Sequence, residues 1–203
     1  MNVRFIEKDK LRQAAQSFQK EFNLPKHVPT PIENIAEFGF EIDIIPIPGL
    51  ERAFDIVGFI SKDLTEIRVD EHVYHHQQGR YRFTLAHELS HAYLHRTIFE
   101  NADFDDADSW KNFATSGIGE ADYARMEFQA DYLAGLILVP ETPLRRQFNL
   151  AIKKARATGL DVYVEREHAM NYIARHLSNE DIFNVSQKTV EIRISEDSLF
   201  DLS

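Results

Sequence analysis

The segment from Gln78 to Arg96 constrains this chain more than any other. Phe83, Ala86, Leu89, Tyr93 and Leu94 recur there at helical spacing, with no proline and no glycine after Gly79. The spacing predicts a long helix half-buried in the core. Within it lies His87-Glu88-Leu89-Ser90-His91. Two imidazoles four residues apart project from one helix face and can grip a single ion, while Glu88 stands about a hundred degrees away round the axis. That offset makes Glu88 a poor third partner for the ion but a well-placed general base for water beside it.

A catalytic zinc takes three protein ligands and keeps one position open. The 203 residues contain no Cys, which excludes thiolate sites, iron–sulfur clusters, disulfides and a cysteine nucleophile, so the third ligand is a His or a carboxylate. A second helical segment, Ala121 to Leu138, ends at Val139-Pro140, where the residue before proline turns away from helix. It carries Glu127-Phe128-Gln129-Ala130-Asp131, two carboxylates on one face of an otherwise apolar stretch. Packed beside the first helix, Glu127 completes the ion site and Asp131 orients a ligand imidazole through its other nitrogen. For His95, four residues beyond His91, a packed or supporting role is expected rather than ligation. His75-His76 read as a solvated loop. A donor to stabilise an oxyanion is also expected, and Tyr123, Tyr163, His168 and Tyr172 all have the chemistry for it.

Around this pair the chain reads as α+β, with a mainly helical core, a small and mostly antiparallel sheet, and a helical C-terminal portion. Leu11, Ala15, Phe18 and Phe22 mark a helix that stops at Pro25. Thr30-Pro31-Ile32-Glu33 reads as a capping box opening a short helix that Gly39 ends. Phe40, Ile42 and Ile44 alternate as a strand that Pro46 and Pro48 confine to an edge. Ile56 to Ser61 and Glu66 to Asp70 form a hairpin about Lys62-Asp63-Leu64-Thr65. From Thr97 to Asp131 nine acidic residues face two basic ones, so the first two-thirds of residues 97–119 read as an acidic surface excursion with a helix around Trp110. Leu144 to Arg156 is the reverse, with five basic residues and no acidic one, a face that suits an acidic patch on a partner. Helices are expected over Glu165 to His176 and from Ser186, its N-cap, to Ile194. Residues 1–140 then form the core and 141–203 the C-terminal helices of the same compact unit.

The formal charge of −10, from 23 basic and 33 acidic residues, disfavours phosphate backbones and anionic lipid. The longest apolar run, Tyr132 to Val139, is far below the ~20 residues that span a bilayer, and the N-terminus lacks a signal-peptide core. A cytoplasmic protein with no membrane contact is expected.

Arg82-Phe83-Thr84-Leu85-Ala86-His87-Glu88-Leu89-Ser90-His91, then Leu94-His95, Glu127 to Asp131 and Leu136 to Pro140, resembles the ImmA/IrrE family of zinc-dependent metallo-endopeptidases over roughly residues 8 to 140. Ser90 stands where that family commonly has Gly, and the acidic excursion is long. The resemblance implies a zincin-like core with His87, His91 and Glu127 holding Zn2+, Mn2+ or another divalent ion remaining open, and Glu88 as base and proton shuttle. It further implies an anti-repressor that cuts a helix-turn-helix repressor of the Xre type. Residues Ala169 to Ile194 are similar to the helix-turn-helix-like segment that often follows the core in this family. Lys188 and Arg193 against Glu191 make a weak basic face, so direct nucleic-acid binding is not expected, and a structural or repressor-docking role is preferred. A non-catalytic metal-containing regulator that sequesters a partner is the alternative.

Overall fold

A computed structural model describes residues 2–22, 28–157, 159, 162 and 164–201. The expected stop at Pro25 and the candidate Tyr163 lie outside the described residues. Helix α1 (Lys8–Glu21) buries Leu11, Ala15 and Phe18 as its spacing demands. The capping box does not form. Pro31 occupies the N-cap of α2 (Ile32–Asn34), which runs on as a π turn, Ile35–Gly39. Thr30 instead donates its buried hydroxyl to the Ile137 carbonyl at 2.9 Å, and Glu33 pairs with Arg82 at 3.1 Å. Long-range partners outcompete the local cap because both groups lie over the helix pair described below.

The sheet is mixed rather than mostly antiparallel. Its order is β1 (Asp43–Ile47), β3 (Glu66–Asp70), β2 (Gly58–Ile60), with β2 antiparallel and β1 parallel to β3. Alternation in sequence identifies a strand but does not fix the direction of its partner. The turn Gly49 and helix α3 (Leu50–Phe54) carry the chain across from β1 to β2. Asp43 N–H donates to Thr65 O, so alternate residues face β3 and Pro46, which has no donor, falls on the open edge. Asp70 ends β3 and caps α4 (Glu71–His76), its carboxylate accepting from the main-chain N–H of His72, Val73 and Glu51. His75 and His76 are exposed as expected, but helical rather than in a loop.

The most extensive contact between elements joins α5 (Gln78–Leu94) to α8 (Glu120–Leu138). Leu85, Leu89 and Ala92 meet a core that includes Met126, Leu133 and Ile137. Between them, α6 (Arg96–Glu100), α7 (Ala107–Asn112) and a π turn, Phe113–Gly117, are more than a surface excursion. Their acidic residues face out while Phe99, Phe104, Phe113 and Ile118 are buried, and the Phe99 ring lies 5.4 Å from that of His91. The aromatic residues in that stretch decide its packing; the charges decide only its surface.

The C-terminal helices are α9 (Glu141–Ala157), α10 (Arg166–Leu177) and α11 (Gln187–Glu196), the last capped by Ser186. Arg193 turns inward from α11: it is buried, pairs with both oxygens of Asp197 at 3.1 and 2.8 Å, and donates to the Val139 carbonyl at 3.3 Å. A basic face for nucleic acid therefore loses one of its two cations to the core.

Candidate metal centre

Helix α5 presents His87 and His91 one turn apart, and α8 brings Glu127 opposite them. Their Nε2 atoms lie 2.9 Å apart. Glu127 Oε2 is 3.3 Å from His87 Nε2, and Glu127 Oε1 is 3.4 Å from His91 Nε2. Donors held about 2.0–2.1 Å from one tetrahedral ion lie about 3.3–3.4 Å from each other, which the two His–Glu127 distances match and the closer pair of imidazoles undercuts. Among the described residues these three are the group of His, Asp and Glu side chains close enough to hold a metal ion.

The surroundings favour a cation in the same place. His87 Nδ1 lies 2.9 Å from Asp131 Oδ1, and a carboxylate only accepts, so the ring proton sits on Nδ1 and the Nε2 lone pair points at Glu127 and His91. Glu127 Oε1 is buried and accepts no hydrogen bond. Electron-rich atoms thus converge with too few protons among them, a costly arrangement that positive charge relieves. His87 records the same demand: burial works against its charged form, yet Asp131 and Glu127 raise the ring well above its ordinary value by favouring a second proton on Nε2, the position where the cation's charge would fall. Burial alone would raise Glu127, but His87 and His91 hold it well below the usual carboxylate range. The donor set fits a divalent cation.

Glu88 lies one residue round the helix, only 4% exposed, and its Oε2 accepts the Ile60 main-chain N–H at 3.0 Å from the edge strand β2. Burial pushes its carboxyl up to about 8, against the pull of His87 and with the repulsion of Glu127. A carboxyl that exchanges its proton near neutrality suits acid–base work. Ser90, in the place of the family's glycine, returns its hydroxyl to the Ala86 carbonyl at 2.7 Å and leaves the helix intact.

His95 is not brought into the ligand triangle. Its Nδ1 meets His91 Nδ1 at 3.1 Å and its Nε2 meets Gln129 Oε1 at 2.9 Å. Burial and then His91 push it down to about 4, so the ring is neutral. Gln129 escaped the sequence reading because an amide on an apolar helix carries no motif of its own, and a spacing of two from Glu127 and from Asp131 places it on another face of α8. Of the oxyanion candidates, Tyr123 stands one turn before Glu127 on α8 and is half-buried. Burial, with the fields of Glu127, Glu88 and Asp131, raises its hydroxyl well above the ordinary phenol value, so it remains a donor. His168 and Tyr172 are exposed on α10, where His168 faces Glu165.

The family model of the IrrE N-terminal-like domain, Peptidase M78, matches residues 67–195, well over half the chain and every residue of this centre. The chain belongs to that family. Membership carries a metallopeptidase-like function and a protein substrate, and the match begins in β3 and runs through nearly all of α11, taking in the C-terminal segment that the sequence likened to this family. Compared with curated proteins, the chain matches none. Among the described residues no helix is long and apolar enough to cross a membrane.

Proposed function

We propose that this IrrE-like chain is a cytoplasmic zinc-dependent endopeptidase whose substrate is a helix-turn-helix repressor of the Xre type. The observation that carries the hydrolase reading is the convergence of His87, His91 and Glu127 with Glu88 beside them; the repressor follows from the resemblance to ImmA/IrrE proteins. In this reading His87, His91 and Glu127 hold the ion, and Asp131 fixes the ring of His87. A zinc ion so held supplies Lewis acidity to the scissile carbonyl and to water. Glu88 takes a proton from the attacking water at its carboxylate and delivers it to the departing amine nitrogen. Tyr123 donates its hydroxyl to the carbonyl oxygen as negative charge gathers there. Glu127 and Asp131 reach solvent on one side of the site, and in this reading the polypeptide approaches from that side.

Incubating helix-turn-helix repressors of the Xre type with the wild type and with Glu88→Gln, and following intact mass, tests the reading. Discrete fragments from the wild type alone are expected. A stable complex without fragments in both would favour a sequestering regulator instead.

A further inference from the structure

Behind the metal centre a line of buried side chains runs to the N-terminal segment. Gln129 Nε2 donates to the main-chain carbonyl of Arg4 at 2.9 Å. A carbonyl only accepts, so turning the Gln129 amide over would set two oxygens against each other, and its Oε1 is thereby fixed towards His95. His95 Nε2, 2.9 Å away, donates to that oxygen, which leaves His95 Nδ1 as an acceptor. The Nδ1–H of His91 fills it at 3.1 Å. The remaining nitrogen of His91, Nε2, then carries a bare lone pair into the triangle with His87 and Glu127. His91, His95 and Gln129 are 2%, 3% and 1% exposed, so water does not compete for any link.

We infer that Gln129 and His95, anchored on the Arg4 carbonyl, are positioning residues that hold His91 in the tautomer presenting Nε2 to the ion. This rests on the metal-peptidase reading above. The two ligand imidazoles are then supported differently: His87 by the charged Asp131, His91 by a neutral chain that ends on backbone. Residues 3 and 4 become part of the metal site's support, with a second tether from Arg125 to the Val3 carbonyl at 2.6 Å. A surface cavity of ≈ 680 Å³ lies against Arg4, His95 and Gln129, so the outer end of the line is next to solvent while its inner end is a ligand.

The test uses the full chain stripped of metal, with histidine nitrogens labelled for long-range proton–nitrogen correlation NMR. His91 is expected with its proton on Nδ1 and Nε2 bare; a proton on Nε2 overturns the inference whatever the chain binds. Gln129→Leu and His95→Phe should each weaken Zn2+ binding about 10–100-fold, read by competition with a chromogenic chelator, and should mix the His91 tautomers. His95→Gln restores an acceptor oxygen and should recover most of the affinity. Unchanged Zn2+ affinity in a folded Gln129→Leu chain, beside a wild type that binds the ion, also overturns it. A wild type that binds no Zn2+ removes the metal-peptidase reading instead, and the tautomer of His91 still decides this one.

Discussion

A buried polar cluster lies against helix α8 at each of two places, and the two differ in how their charges close. At its C-terminal end, Arg193 gives both Asp197 oxygens a partner and the Val139 carbonyl a donor, while Arg12 adds a second cation to Asp197 at 2.8 Å. Every group there has a counterpart of opposite sign. Around Glu127 the reverse holds: two imidazole lone pairs and a carboxylate face one another, and one buried oxygen accepts nothing. A closed cluster ties elements together; an open one, lacking positive charge, is where a ligand belongs. The Arg82 cluster on α5 is of the first kind, its guanidinium divided among Glu33 and the carbonyls of Asn184 and Thr30.

Substitutions should separate the two kinds. The largest effect is expected at Glu88: Glu88→Gln should lower the cleavage rate about 10²–10⁴-fold, with unfolding transition and bound metal unchanged. Comparable turnover in that variant would remove Glu88 from the chemistry. Next, Arg193→Leu leaves Asp197 buried with only the partly exposed Arg12, and should cost about 3–5 kcal/mol of stability in denaturant unfolding, whereas Arg193→Leu with Asp197→Leu should recover much of it. If the single change were nearly neutral, the closed cluster would not be a tether. Smallest is Asp70→Ala at the α4 cap, about 1 kcal/mol at neutral pH. Burial alone would raise the Asp70 carboxyl, but three main-chain N–H donors hold it below the ordinary value. Its contribution is therefore full above the unfolded value of about 3.9 and disappears as pH falls through the lower folded value, so the two stability curves should converge in acid.

The contents of the site were legible because helix spacing converts directly into shared faces: His87 with His91, and Glu127 with Asp131, needed only the two helices to pack. The long helices α1, α5 and α8 were legible for the same reason. What escaped depends on partners far away in sequence. Thr30 and Glu33 spell a cap, yet bond to Ile137 and Arg82. A strand was visible from Phe40, but it begins only at Asp43 and runs through Pro46 to Ile47, and its parallel pairing with β3 was not visible. The short α3 and α4 lack enough turns to show a period, and Gln129 became meaningful only once Arg4 and His95 stood on either side of it.

The most direct test of the central claim is the divalent metal content of four purified proteins by native mass spectrometry. The wild type and Glu88→Gln are expected to hold one ion per chain, and His91→Ala and Glu127→Ala to lose it. Full occupancy in both ligand variants, or none in the wild type, would contradict the account.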